Sequence, residues 1–241
     1  MRRSDFPLPY TTYLVDLNSE EAYADQGMTL RCYPRLMPIP YKAIAPREDL
    51  LIWEPWRKNL KLYPQLFCIL GRDVPVRDED PSPTVLAVCM GLASSDDGIA
   101  MASPDPAIRD KHMCYWYSLY SDSSQILAQR LTPIADPRTL KITLESPTLG
   151  THVFDQNHLQ FDPEELVREM NHLIPFRKYD LISLGAADKP ISLPIDQILP
   201  SGETLTLSCP ELGRLEITVE DHRDPGTTIN GWTPRPFFLE R

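Results

Sequence analysis

Hydrophobic and polar positions alternate with a period of two near the end of the chain. Leu205, Leu207 and Cys209 interleave with Thr204, Thr206 and Ser208, and Leu215, Ile217 and Val219 with Glu216, Thr218 and Glu220. That period places one set of side chains on a buried face and the other in solvent, so both stretches read as half-buried strands. Glu211-Leu212-Gly213-Arg214 between them is hairpin length, and Gly213 can take the positive φ such a turn needs. A third apolar run, Leu181–Leu184, precedes them across a loop.

Upstream, short apolar runs predict further strands at Tyr13–Leu17, Leu50–Trp53, Leu66–Leu70 (ending at Gly71), Val85–Leu92 and Leu140–Leu144. Two stretches carry helical signals. Ser19–Gln26 has Ser19 as N-cap and acids in its first turn. Asp162–Asn171 has Asp162 as N-cap, Pro163 at the first helical position, Glu164 and Glu165 in the first turn, and Leu166, Val167 and Met170 on one side. Residues 31–48 read as extended and proline-punctuated. Glu54–Lys61 reads as a charged, aromatic loop, 72–83 as a polar turn, 93–112 as irregular and Met113–Tyr120 as aromatic-rich. Residues 1–12 form a tail. Residues 221–241 form an extension whose Trp232, Phe237 and Phe238 call for packing on the domain or a partner.

Composition narrows this picture. The 241 residues suit one domain, here 13–220, and 42% hydrophobic content suffices for a core. A net charge of −10 argues against nucleic acid or an anionic membrane surface as partner. No apolar run is long enough for a membrane helix, and the first residues lack the apolar core of a secretory signal. Twenty-five prolines against 10 glycines, spread between apolar runs, suit many short strands joined by stiff loops. The five cysteines are scattered, with no C-x-x-C pair, which points to a reduced, cytoplasmic protein. No histidine spacing suggests zinc, and there is no G-x-S-x-G, Gly-rich phosphate loop or Ser-His-Asp set.

The wording of several stretches is more specific than their periodicity. YDLISLGAA, LPSGETLTLSC and PELGRLEITV resemble the three C-terminal strand segments of the fumarylacetoacetate hydrolase family. LTPIADPRTLKITL, LQFDPEELVREMN, LYPQLFCILGRD, VLAVCMGLASSDD and YKAIAPREDLLIWEPW are similar to further family segments, in the family's order. The spacing most resembles the degenerate half of the homoprotocatechuate-pathway isomerase/decarboxylase. The resemblance implies an α+β, β-rich fold: a mixed β-roll or sandwich with few short helices, usually dimeric.

Family enzymes bind Mg²⁺ or Mn²⁺ through three carboxylates, two from E-x-E and one from an N-D pair. The resemblance puts Tyr63 and Gln65 at the first pair and Ala93 and Ser94 at the second. Hard cations want anionic oxygen ligands, so these replacements imply loss of the metal site, with no metal and no cofactor expected. Asp96 and Asp97 lie two and three residues past the expected aspartate, and a register shift could bring one into its place. The family's two lysines fall on Glu54 and Ser118, and its "G-T-P" threonine on Ala186. The segment carrying its His–Glu dyad becomes LNSEEAYAD, keeping only Asn18.

What replaces that chemistry gives the candidate residues. Glu54, between Trp53 and Trp56, His112 beside an aromatic run, and Asp96 are the candidate acids or bases. Glu54 could equally pair with Arg57 or Lys58, and a lone histidine is more often structural. Tyr63, Gln65, Trp53, Tyr117 and Arg130 are candidate substrate contacts, Arg130 for a carboxylate. Aromatic runs such as that around Tyr117 also serve cores and interfaces. The expected function is a metal-independent isomerase, lyase (decarboxylase) or cyclase acting on an oxo-acid, enol or polyketide-like substrate. The alternative is a non-catalytic partner subunit or scaffold. Expected partners are a small-molecule substrate and a second chain, either a homodimer or a family paralogue.

Overall fold

The computed structural model describes residues 1–2, 11–15, 18–20, 36–39, 44, 50–53, 60–80, 82–96, 124–193, 197 and 199–221. Two β-sheets pack face to face. The larger contains β1 (Thr12–Val15), β2 (Leu36–Ile39), β4 (Leu60–Leu70), β5 (Val85–Asp96), β6 (Gln125–Leu127), β9 (Leu181–Ser183) and β10 (Ile191–Leu193), in the order β2-β1-β9-β4-β5-β6 with β10 also on β4. The smaller contains β3 (Leu50–Trp53), β7 (Lys141–Ser146), β8 (Gly150–Asp155), β11 (Thr204–Cys209) and β12 (Gly213–Asp221), in the order β3-β12-β11-β7-β8. Parallel pairs, β1 with β9 and β12 with β3, occur among antiparallel ones, so both sheets are mixed. This is the expected β-rich α+β architecture.

The alternation of the C-terminal strands becomes the floor of the core. Leu205, Leu207, Leu215, Ile217 and Val219 face Leu60, Leu62, Leu66, Cys68 and Leu70 of β4 across the sandwich. Ile142 and Leu144 of β7 join them. The hairpin forms where predicted, with Gly213 at φ +93° opening β12.

The helix α1 (Pro163–Asn171) also forms as its signals require. Asp162 accepts from the Glu165 N–H and Glu165 reaches back to the Asp162 N–H, a reciprocal capping box. Leu166, Val167 and Met170 enter the core. Among the described residues no helix is long and apolar enough to cross a membrane. The helix expected over Ser19–Gln26 falls mostly outside the described residues.

The central hairpin is longer than the apolar runs suggest. β4 starts at Leu60, inside the expected loop, and β5 runs to Asp96, into the segment expected to be irregular. Pro64 is tolerated within β4 for a geometric reason. The Leu66 C=O accepts from Leu184 N–H, so that edge of β4 faces β9. Pro64, two residues earlier, directs its missing N–H to the same edge. There it meets neither β10, which pairs with 60–62, nor β9, which pairs with 67–69. β2 occupies part of the proline-punctuated stretch, and β6, β8 and β10 were not anticipated.

Candidate functional site

The pleat of β4 sorts its side chains into two rows. Leu60, Leu62, Leu66, Cys68 and Leu70 enter the sandwich core. Lys61, Tyr63, Gln65, Phe67 and Ile69 lie on the outer face of the same strand. Residues directly paired across antiparallel strands share a face. Gln65 pairs with Gly91, Tyr63 with Ala93 and Lys61 with Ser95 on β5. On β6, Gln125 pairs with Ala93 and Leu127 with Gly91. On the other flank Ser183 pairs with Phe67 and Ser192 with Lys61. One face thus carries Lys61, Tyr63, Gln65, Ser95, Gln125 and Ser183 around a floor of Gly91 and Ala93.

That floor has to be small. A Cβ on Gly91 would lie 2.6 Å from the Ile126 carbonyl oxygen and 2.7 Å from Phe67 Cε2. The face grades from apolar at Phe67 and Leu127 to polar at Gln65, Tyr63 and Gln125, and it opens towards half-buried Lys61 and exposed Ser192.

Among the described residues two sets of side-chain hydrogen bonds are seen on this face. Ser183 Oγ accepts from Gly185 N–H at 3.0 Å and donates to Gln65 Oε1 at 2.9 Å. Among the described residues Gln65 Nε2 then has no hydrogen-bond partner, although the residue is only 1% exposed. Gln125 is 0% exposed, and among the described residues neither its Nε2 nor its Oε1 has a partner. Ser95 Oγ donates to Tyr63 Oη at 3.3 Å.

Asn18 stands behind the face and is fully committed to the scaffold. Its Nδ2 donates to the carbonyls of Leu184 at 2.7 Å and Phe161 at 3.0 Å, and its Oδ1 accepts from Phe161 N–H at 2.9 Å. It fixes the turn at Gly185, whose φ is +78° and whose missing Cβ would lie 3.1 Å from Asn18 Cβ. Ala186, at the expected threonine position, is buried next to that turn.

Of the expected site residues, the structure brings Tyr63 and Gln65 together. The face position on β5 is Ala93, with Ser95 next along, whereas Ser94 pairs with Leu62 and turns to the other face. Asp96 is buried but pairs with Leu60, so the pleat sends it to the reverse side from Tyr63 and Gln65. Only a one-residue slip would change that, and the Leu60–Asp96 ladder stays in register from Ile69 onward. Trp53 ends β3 in the smaller sheet, paired with Asp221. Arg130 is exposed on a bridge to Arg2, its guanidinium beside Gly213 of the hairpin, away from this face. Glu54, His112, Tyr117 and Asp97 lie outside the described residues. Gln125 and Ser183 were not singled out from the sequence. Nothing local marks Gln125, whose place is set by a partner 32 positions away at Ala93.

The donor set does not fit a hard divalent cation. Among the described residues the face offers a phenol, carboxamides, hydroxyls and the Lys61 ammonium, with no carboxylate, where such an ion needs carboxylates. Among the described residues no group of three or more His, Cys, Asp or Glu is placed to hold a metal ion. A separate cleft of about 750 Å³ lies outside, between β5 and α1. Its charged groups serve structure: Glu164 accepts from the N–H groups of Thr84 and Val85, and Arg138 pairs with Asp136, Asp162 and Glu165.

No protein-family model matches the chain, and no curated protein matches it. Solved structures do. A Yersinia pestis protein assigned to the fumarylacetoacetate hydrolase family superposes with a TM-score of 0.71 at 14% identity, over 89% of this chain and 94% of that one. The Pseudomonas aeruginosa fumarylpyruvate hydrolase, solved with Mn²⁺ and pyruvate, gives 0.68 at 18% identity, over 88% and 90%. The 2-hydroxyhepta-2,4-diene-1,7-dioate isomerase from Mycobacterium marinum gives 0.67 at 14%, over 90% and 77%. The chain has the fumarylacetoacetate hydrolase fold.

Proposed function

We propose that the chain is a divergent enzyme on this fold that works without a metal ion, acting on an oxo-acid, enol or polyketide-like substrate by isomerisation, decarboxylation or cyclisation. The fold neighbours include a hydrolase and an isomerase, so an enzyme of that general kind fits the scaffold. One observation carries the metal-free reading: where the resemblance expects the E-x-E pair, the outer face of β4 holds Tyr63 and Gln65, and Ser94, at the expected aspartate position, pairs with Leu62 and turns to the other face. A retired site with no ligand to hold would be expected to fill with aliphatic side chains. This one keeps buried polar groups with no partner among the described residues, and each costs stability unless a ligand or an ordered water uses it.

In this reading Gln65 and Tyr63 orient an oxygen-rich substrate by hydrogen bonds, and apolar Phe67 and Leu127 exclude water at the far end. Proton transfer is assigned to Glu54 or His112, because the pleat turns Asp96 to the reverse face. A positioned acid or base of this kind contributes about 10²–10⁴-fold in rate. The second reading is a non-catalytic partner subunit. The near-complete burial of Tyr63, Gln65 and Gln125 favours it, since a filled face leaves less room for substrate.

Elemental analysis and a Mn²⁺ titration of the purified chain test the proposal. No stoichiometric metal, and turnover of an oxo-acid or enol lost in Glu54→Gln or His112→Ala, is expected. Stoichiometric metal required for turnover would overturn the metal-free reading. Absence of turnover across such substrates would leave the partner-subunit reading.

A further inference from the structure

The strand that ends the smaller sheet, β8, has one open edge, and the ladder fixes which residues line it. Gln156 N–H donates to the Leu140 carbonyl at 3.0 Å, so Phe154, His152 and Gly150, in steps of two, turn their backbone groups to β7. The phase counted from the other side agrees. Val219 N–H donates to the Glu203 carbonyl, which turns Leu205 and Leu207 to β12 and Thr206 and Ser208 to β7. Their partners Glu145 and Thr143 face β11, which leaves Ile142, Leu144 and Ser146 to face β8. Thr151, Val153 and Asp155 are the remaining set. Their N–H and C=O groups point away from the sheet, where no strand pairs with them among the described residues.

This edge lacks the usual protections, which are proline, lysine, a bulge or short length. The end strand of the larger sheet, β2, is four residues long and carries Pro38. β8 has six residues, no proline or lysine, and an unbroken six-pair register with β7. It also presents apolar surface. Of the large apolar side chains exposed among the described residues, only Val153, at 55%, lies on a strand.

We propose that β8 pairs antiparallel with β8 of a second copy of this chain, joining the two smaller sheets into one across a two-fold axis at Val153. The edge is complementary to itself in that register. Val153 lies opposite Val153, and Thr151 opposite Asp155 on each side of the axis. A β-branched apolar pair then sits on the axis, flanked by a hydroxyl donor facing a carboxylate acceptor. Every outward N–H and C=O of the three residues finds a partner, because all three pairs are of the hydrogen-bonded kind. No like charges are opposed, and Lys141 Nζ, 2.8 Å from the Asp155 carboxylate on its own chain, balances that charge. The balance matters for copies that each carry a net charge of −10 and repel one another overall. Only the smaller sheet takes part, so the pairing is independent of what the outer face of the larger sheet binds.

Sedimentation equilibrium of the full chain tests the pairing. Three residue pairs make a small interface, so dimers are expected to form between roughly 10 µM and 1 mM. Val153→Arg sets two like charges directly opposite each other and should weaken association at least about tenfold. Its Tm in dilute solution should stay within about 2 °C of the parent's, because the side chain is exposed. Cysteine variants read the register, since directly paired residues have Cα atoms about 5.5 Å apart, within disulfide reach. With oxidised glutathione, Val153→Cys should crosslink to itself, beyond any crosslinking of the parent's own cysteines. Thr151→Cys should crosslink to Asp155→Cys when the two proteins are mixed, and not to itself. A parent that stays monomeric up to about 1 mM, a dimer that survives Val153→Arg, or self-crosslinking of Thr151→Cys would each overturn the proposal.

Discussion

At the scale of single residues, Asn18 and Gln125 are opposites. Both are buried side-chain amides, yet Asn18 spends three hydrogen bonds on backbone and Gln125 none. The first is committed to the fold, whereas the second makes no hydrogen bond among the described residues. Substitution should separate them. Asn18→Ala leaves two carbonyls and one N–H without partners in a buried place, a loss of about 3 kcal/mol or more by chemical denaturation. Asn18→Asp, nearly the same shape but with no N–H for Leu184 and Phe161, should be destabilised comparably. An Asn18→Asp protein as stable as the parent would show that shape alone holds the Gly185 turn. The legibility of the two residues differs for the same reason. Asn18 stood out in a segment that otherwise departs from the family wording. Gln125 carries no local mark, since its neighbours on the face come from β4 and β5.

Whole elements show the same division between local and distant causes. The β11–β12 hairpin and α1 were readable because their signals lie within a few residues: alternation and Gly213 in one, Asp162, Pro163 and Glu165 in the other. β6 and β10 are three residues each and exist only because a long neighbour pairs with them. The extension of β5 to Asp96 was hidden because Ser94, Ser95 and Asp96 look like loop residues. Their burial comes from the ladder with Leu60–Leu62, which no local window contains. Where the smaller sheet turns from β7 to β8, one carboxylate holds the connection. Glu203 accepts from Thr148 N–H at 2.9 Å and Thr148 Oγ at 2.6 Å. Burial alone would raise its pKa, but the bonds from Thr148 and Ser146 outweigh that and hold it below the usual glutamate value. A depressed folded pKa means the contribution is fully present above the unfolded value, about 4.3, and is lost as pH falls through the folded one. Glu203→Gln should therefore cost about 1–2 kcal/mol at pH 7, a gap that closes progressively below about pH 4. Urea melts at pH 7 and pH 3 would measure it, and a gap unchanged at pH 3 would refute a charge-dependent role.

At the scale of the molecule, the proposed metal-free reading separates scaffold from chemistry. The described residues form two packed mixed sheets and a capped helix that superpose on hydrolase and isomerase structures, while the outer face of β4 and β5 carries no carboxylate among the described residues. If only the donors have changed, restoring charge should restore affinity for a hard cation. Tyr63, Gln65 and Ala93 occupy one face, two on β4 and the third directly across on β5, so Tyr63→Glu, Gln65→Glu and Ala93→Asp together converge three carboxylates. Without metal that variant should be less stable than the parent, because three like charges are buried side by side. Mn²⁺ at about 100 times its dissociation constant should return roughly 2.7 kcal/mol, some 5–10 °C in Tm for a chain of this size. The parent should show no such shift. A triple variant that folds but gains nothing from Mn²⁺ would mean that the backbone here no longer supports the metal geometry. In that case the scaffold, as well as its donors, has been rebuilt around a different ligand.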